Sequence, residues 1–125
     1  MERFTAEVNQ VENVVMVRLS GELDANTAVS ADDALQEAIA TAPSKALLID
    51  CTDLHYISSA GLGVILSSLH ACKQNNIQVM FCGLQPKIIN VFSILGLQKI
   101  IDTAPTEADA LKLLNNDSGT SIDKP

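Results

Sequence analysis

The order of apolar and polar positions predicts five short strands. β-Branched residues dominate Val11–Gly21 ("VENVVMVRLSG"), and with the weaker alternation of Phe4–Val8 they indicate an N-terminal hairpin. Two continuous apolar runs, Lys45–Asp50 ("KALLID") and Ile77–Gly83 ("IQVMFCG"), are typical of strands buried on both faces. A last short strand is predicted at Lys99–Ile101.

Helical periodicity separates these strands. Apolar residues at helical spacing predict helices over residues 28–42, from residue 59 or 60 to 74, over 86–95 and over 105–114. Asp24 and Asn26 are the candidate N-caps of the first helix, and a polar turn at Thr52–Asp53 is expected before the second. The inner face of the second helix is predicted to carry Leu62, Ile65, Leu66, Leu69 and Cys72.

This alternation predicts an α/β fold. Short apolar strands joined by helices pair in parallel through right-handed crossovers. We therefore expect a small mixed β-sheet, mostly parallel after the N-terminal hairpin, with about four helices mainly on one side. A single domain is expected over residues 1–114. The polar segment at 115–125 ("NNDSGTSIDKP") is predicted to be a disordered C-terminal tail.

Composition narrows the classes of function. The formal net charge is -7, and the eight basic residues do not cluster, which argues against nucleic-acid binding. The three cysteines lack a Cys-x-x-Cys spacing and lie in apolar surroundings, which indicates buried side chains without metal or redox chemistry. No cofactor or metal site is expected. Without a signal segment or an apolar run of about 18 residues, we predict no membrane span and a cytoplasmic location.

The stretch His55–Leu69 ("HYISSAGLGVILSSL") holds the candidate chemistry. Its adjacent serines, Ser58 and Ser59, follow a buried strand and open a helix, where ligands and partners usually meet an α/β sheet. Helix capping explains only one of the two serines, because an N-cap needs one hydroxyl. A nucleophilic serine is disfavoured: the segment lacks a Gly-x-Ser-x-Gly elbow, and His55 and His70 have no obvious orienting carboxylate.

Two further hypotheses for this segment involve phosphate, which could be bound there or attached to a serine. The run Gly61-Leu62-Gly63 does not match a phosphate-binding loop, although a helix N-terminus leaves weak nucleotide binding open. A phosphoserine in the first turn would instead place roughly -1.5 to -2 charges against the positive end of the helix dipole. The fold would tolerate that charge, whereas a partner surface matched to a neutral hydroxyl would not.

Three blocks together resemble a known family. They are Leu19–Asp24 ("LSGELD"), Leu47–Leu66 ("LLIDCTDLHYISSAGLGVIL") and Gly83–Ile101 ("GLQPKIINVFSILGLQKII"), and over residues 4–114 they resemble the STAS domains of bacterial anti-sigma factor antagonists. The resemblance implies a binding module and not an enzyme. Such an antagonist engages a cytosolic serine kinase that doubles as an anti-sigma factor, and displaces the sigma factor. The kinase phosphorylates a serine at the start of the second helix, and a serine phosphatase reverses the modification.

The resemblance also assigns residues. The family's turn reads Asp-Ser-Ser/Thr-Gly-Leu-Gly, and alignment on its glycines implies that Ser59 is the phosphorylated serine. Ser58 stands where the family has Asp and is an alternative acceptor. The implied partner-binding residues are Glu22, Asp24, Ser58, Ser59, Gly61, Leu62, Gly63 and Ser67, with Ser68 and Lys73 as further candidate contacts. The alternative function is a STAS interaction subunit of a lipid-transport or stress-signalling assembly that uses the same surface without phosphorylation.

Overall fold

The computed structural model describes the backbone at residues 3–42 and 45–123, and the side chains of the last helix as far as residue 115. Strands and helices alternate along the described chain. In order they are β1 (Thr5–Val11), β2 (Val14–Leu23), α1 (Ala28–Thr41), β3 (Ala46–Ile57), α2 (Ser59–Gln74), β4 (Gln78–Cys82), α3 (Pro86–Ile94), a 3₁₀ turn (Leu97–Lys99), β5 (Asp102–Ala104) and α4 (Glu107–Asp123).

The strands form one mixed sheet in the order β1-β2-β3-β4-β5. β1 and β2 are antiparallel and joined by a tight turn in which Glu12 has a φ of 57°. The pairs β2–β3, β3–β4 and β4–β5 are all parallel. The predicted α/β class, with a hairpin followed by parallel strands, is confirmed.

Helices cover the two faces of the sheet unequally. α1, α2 and α3 pack on one face over the larger apolar cluster, which includes Leu35, Ile65 and Phe92. α4 packs on the other face through Ala110 and Leu114. The prediction of four helices mainly on one side is therefore confirmed. None of the helices in the described part of the chain is long and apolar enough to span a membrane.

One charged cluster links α4 to the sheet. Arg18 Nε on β2 donates to Asp50 Oδ2 on β3 at 3.2 Å, and Arg18 Nη2 donates to Glu107 Oε1 at 3.3 Å. Asp50 is 3% exposed, and its Oδ1 accepts from the Thr52 hydroxyl at 2.6 Å and the Thr52 amide at 3.0 Å. Burial alone would raise the pKa of Asp50, but these hydrogen bonds outweigh it and lower that pKa below its usual value.

The cysteines are buried and free, as predicted for Cys51, Cys72 and Cys82. Burial raises the pKa of Cys72 to about 11 and that of Cys82 to about 12, so both are protonated thiols at neutral pH. Within the described residues, no group of His, Cys, Asp and Glu side chains is arranged to hold a metal ion.

Two strand predictions are wrong. The expected turn at Thr52–Asp53 does not form, because β2 continues beside β3 and pairs with it from Ser20 to Leu23. This pairing contains register shifts between Arg18 and Ser20 and between Gly21 and Glu22. The last strand lies at Asp102–Ala104 instead of Lys99–Ile101. Gly96 turns the chain with a φ of 74°, and the backbone that follows forms 3₁₀ hydrogen bonds.

The predicted start of α1 also needs correction. Its N-cap is Thr27, not Asp24 or Asn26. The Asp24 carboxylate still serves the loop, because its Oδ1 accepts from the Asn26 and Thr27 amides at 2.9 and 3.2 Å. The last helix begins at Glu107, two residues later than predicted. α4 continues as a helix to Asp123, so its predicted end at residue 114 is wrong. The domain boundary at 114 and the disorder of the segment 115–125 stay predictions, because the side chains beyond residue 115 lie outside the described part of the chain.

Candidate functional site

The serine turn lies where β3 ends and α2 begins. The Ser58 amide donates to the Leu23 carbonyl oxygen at 2.9 Å, directly after the last residues that pair in β2 and β3. This bond fixes the turn beside the loop that follows β2. The fold therefore brings the Asp24 loop, residues 22–27, next to the serines, although more than thirty residues separate them in sequence.

The two serines occupy different positions in the helix start. Ser58 is the N-cap, with extended φ and ψ of -96° and 177°, and its hydroxyl oxygen accepts from the Gly61 amide at 3.3 Å. It is half-buried. Ser59 is the first residue of α2 and is exposed. The interpretation of Ser58 as the cap is confirmed, and Ser59 presents its hydroxyl at the surface.

Asp24 stabilises the conformation of its loop through hydrogen bonds. Besides accepting from two amides of the loop, it lies beside the Thr27 hydroxyl, which donates to the Glu22 carbonyl oxygen at 2.8 Å. The Asp24 amide in turn donates to the Thr27 hydroxyl oxygen at 2.9 Å. Asp24 is half-buried, whereas Glu22 is exposed. The loop thus offers one exposed carboxylate, at Glu22, and one occupied by its own backbone, at Asp24.

The two glycines of the Gly-Leu-Gly run have different surroundings. A Cβ at Gly61 would lie 2.7 Å from both Cγ and the carbonyl oxygen of Leu23, and 3.0 Å from Cγ1 of Ile57. Gly61 is buried, and its missing side chain lets α2 approach β2 closely. A Cβ at Gly63 would meet nothing within 4 Å. Gly63 is exposed, so its missing side chain leaves a flat place on the molecular surface.

The exposed face of α2 continues from the turn. Ser59, Gly63 and Ser67 recur every four residues and form one exposed stripe of small residues along the helix. Leu62, beside it, is half-buried. Lys73 is exposed, as expected for a candidate contact. We name the Asp24 loop together with Ser58, Ser59, Gly63 and Ser67 the turn surface.

Two expectations for α2 are wrong. Ser68, predicted as an exposed candidate contact, is 4% exposed and packs inside the fold. Leu66, predicted on the inner face, is 42% exposed. Helical spacing alone does not distinguish these positions, because the width of the buried stripe depends on which elements lie over the helix.

Sequence analysis missed an exposed aromatic residue beside the turn. Tyr56 is 49% exposed and pairs with Glu22 across β2 and β3. Its position depends on the unexpected extension of both strands. The local pattern did not indicate it: Leu54 and Ile57 are both buried in the larger apolar cluster, and their three-residue spacing does not fit the period of two in a regular strand.

The two histidines lie on different elements and have different surroundings. His55, half-buried in β3, has its Nδ1 3.1 Å from Gln85 Nε2, which also donates to the Thr52 carbonyl oxygen at 3.1 Å. His70 is exposed on α2, eleven residues after Ser59. A rise of 1.5 Å per residue puts it about 16 Å along the helix from that serine. This spacing does not place His70 as a base for Ser59.

Comparison with known proteins identifies the family. The model of the STAS domain matches residues 5–110. The chain belongs to the STAS domain family. The anti-sigma F factor antagonist of Paenibacillus polymyxa is 30% identical over 105 residues, covering 84% of this chain and 90% of that protein. The anti-sigma-B factor antagonist of Bacillus subtilis is 32% identical over 100 residues, covering 79% and 89%.

Solved structures share this STAS fold. An anti-sigma factor antagonist from Mycobacterium paratuberculosis superposes with a TM-score of 0.78 and 25% identity, covering 90% of this chain and 95% of that one. The phosphorylated form of the Bacillus cell fate determinant SpoIIAA superposes with a TM-score of 0.70 and 22% identity, covering 88% and 99%. The STAS fold expected from the sequence blocks is confirmed.

Proposed function

We propose that this STAS domain is an anti-sigma factor antagonist that binds a cytoplasmic anti-sigma factor serine kinase and thereby releases a sigma factor. Relatives at 30% and 32% identity carry the name of antagonist, which supports the class of function. The observation that carries the proposal is the division of roles at the turn. Ser58 is the N-cap of α2, while Ser59, in the first turn of the same helix, is exposed.

Ser59 is the proposed phosphorylation site. A kinase needs a serine that it can reach without dismantling the fold, and Ser59 is exposed whereas Ser58 is half-buried and accepts the Gly61 amide. The first turn of α2 contains no acidic residue. A phosphate there would meet the positive end of the helix dipole without an adjoining carboxylate in that turn. The SpoIIAA structure supports this tolerance, since that protein keeps a similar fold in its phosphorylated form.

Phosphate would act on the complex and not on the fold. The turn surface of the unmodified chain consists mainly of small neutral side chains, with an exposed carboxylate at Glu22 and a half-buried one at Asp24. A partner that packs closely against Ser59 and Gly63 would have to bury a dianion once Ser59 is modified, at a large desolvation cost. We therefore propose that the kinase releases the antagonist by phosphorylating Ser59, and that a serine phosphatase restores it. This chain needs no catalytic group of its own for that role.

Phosphate transfer to matched serine variants tests the site. The chain is incubated with the anti-sigma factor kinase of its own organism and with ATP and Mg²⁺, and its intact mass is measured. We expect a gain of one phosphate in the wild type and in Ser58→Ala, and none in Ser59→Ala. Ser58→Ala should also be less stable by about 1 kcal/mol, because the cap is lost. Phosphate on Ser59→Ala would show that the acceptor is wrong, and no phosphate on any form would contradict the kinase partnership.

The alternative function, a STAS interaction subunit of a lipid-transport or stress-signalling assembly, uses the same turn surface without phosphate. It predicts that the chain purified from its own host carries no phosphate in growing or stressed cells. It also predicts that the chain does not bind an anti-sigma factor kinase.

A further inference from the structure

A shallow groove runs along the C-terminal half of α2, away from the serine turn. It has a volume of about 560 Å³. Its apolar lining comes from α2, from the start of β4 and from the segment that follows the 3₁₀ turn: Leu66, Leu69, Val79, Ile100 and Ile101. The groove exists because β5 has three residues and pairs with β4 only from Met80 onward. The segment beside Val79, which ends at Ile101, is therefore not part of a strand.

The groove combines exposed apolar side chains with a basic rim. Leu66 is 42% exposed and Ile100 is 66% exposed. Lys73 lines the groove from α2, and Lys99 is exposed directly before Ile100. Among the described residues, ion pairs are formed by Arg18 and not by these two lysines. Asp102 is the acidic residue of the lining. In a chain with fifteen acidic and eight basic residues, this rim favours a partner that carries carboxylates.

The groove continues the turn surface along the same helix. Leu66 follows Ser59 by seven residues, or about 10 Å along the axis, and lies next to the exposed Ser67. Lys73 follows Ser59 by fourteen residues, or about 21 Å. A protein that docks on the turn surface with an interface of ordinary size, about 800 Å² on each partner, would extend over this distance.

We infer that this groove is the second part of the docking surface for the anti-sigma factor kinase. Its occupant is an amphipathic segment of that kinase, with apolar side chains on Leu66 and Ile100 and carboxylates near Lys73 and Lys99. This inference rests on the proposed function. A phosphate on Ser59 acts over a Debye length of about 8 Å at physiological ionic strength, so its charge is largely screened at Lys73. Phosphorylation therefore weakens the contact at the turn and leaves the groove contact available.

Matched substitutions on α2 and α4 test the groove. Leu66→Asn is compared with Leu113→Asn, because Leu113 is 45% exposed but lies on α4, over the other face of the sheet. Lys73→Glu is compared with Lys112→Glu, an exposed lysine on α4. Affinity for the purified kinase is measured by calorimetry at two salt concentrations. We expect about a tenfold loss for each groove variant and less than about a twofold change for each control. The loss for Lys73→Glu should shrink at high salt.

The same experiment separates this inference from the proposed function. If the wild type binds the kinase and both groove variants bind equally well, the groove plays no part in docking while the proposed function stands. If the wild type does not bind, the proposed function itself fails. Melting temperatures of all four variants, which change exposed side chains, should stay close to that of the wild type, so that a lost affinity reports the interface.

Discussion

At the scale of single residues, Gly61 and Gly63 have the same identity and opposite roles. Gly61 lies against the Leu23 carbonyl oxygen, a backbone atom that cannot move without disturbing the β2–β3 pairing. Gly63 has open space around it and lies on the stripe of small residues that begins at Ser59. The first glycine allows α2 to pack against β2, and the second keeps the proposed partner surface flat.

Alanine at each glycine should separate stability from binding. Gly61→Ala should lower the free energy of unfolding by about 1–3 kcal/mol, because its Cβ overlaps Leu23. Gly63→Ala should raise it by about 0.5–1 kcal/mol, because alanine favours a helix interior more than glycine does. Urea unfolding measures both values. Anti-sigma factor affinity of folded Gly63→Ala should nevertheless fall, and an unchanged affinity would show that the partner does not pack on this stripe.

At the scale of elements, a cluster of three charges, in which Asp50 is buried and Arg18 and Glu107 are half-buried, joins two strands and a helix. Arg18 bridges Asp50 on β3 and Glu107 in the first turn of α4, so it holds α4 over a sheet face that this helix covers through few side chains. Removing one member of such a cluster leaves the other charges without compensation. The second face of the sheet should therefore depend on these charges more than the first.

The pH dependence of the free energy of unfolding should show how much Asp50 contributes to stability. Its pKa is lower in the folded chain than its ordinary value of 3.8. The stabilisation that the charged Asp50 side chain gives to the fold is complete when the pH lies above its ordinary pKa. This stabilisation is lost as the pH falls from there through the lower pKa of the folded chain. Asp50→Asn should thus cost about 2 kcal/mol at pH 7 and less near pH 3. Asp53→Asn, an exposed aspartate on the same strand, is the control and should change stability by less than about 0.5 kcal/mol at either pH. Equal costs for Asp50→Asn at both pH values would exclude this role.

The elements also show what sequence can and cannot predict. The hairpin, the two buried strands and the cap at Ser58 follow from local rules of period and capping, and the structure agrees with them. The extension of β3 to Ile57 does not, because it depends on β2 continuing beside it. The pairing of Arg18 with Asp50, thirty-two residues away, is invisible for the same reason. The different roles of Gly61 and Gly63 appear only when Leu23 is placed against α2.

At the scale of the whole molecule, the packed faces of the sheet and the proposed partner surface at the end of β3 are separate parts of the structure. Three helices pack on one face and one helix covers the other, whereas the proposed partner surface lies where β3 ends and α2 begins. The turn surface and the groove share α2 as their common element. A modification in the first turn of this helix can therefore change binding without reaching either apolar cluster.

We propose that the unmodified turn surface binds the anti-sigma factor and that phosphorylation of Ser59 weakens this binding enough to release the chain. The direct test is the affinity of that factor for the chain before and after full phosphorylation at Ser59, measured by calorimetry at physiological salt. We predict tight binding before modification and a loss of at least about a hundredfold afterwards, with the melting temperature of the chain nearly unchanged. Equal affinities for the two forms would contradict the account.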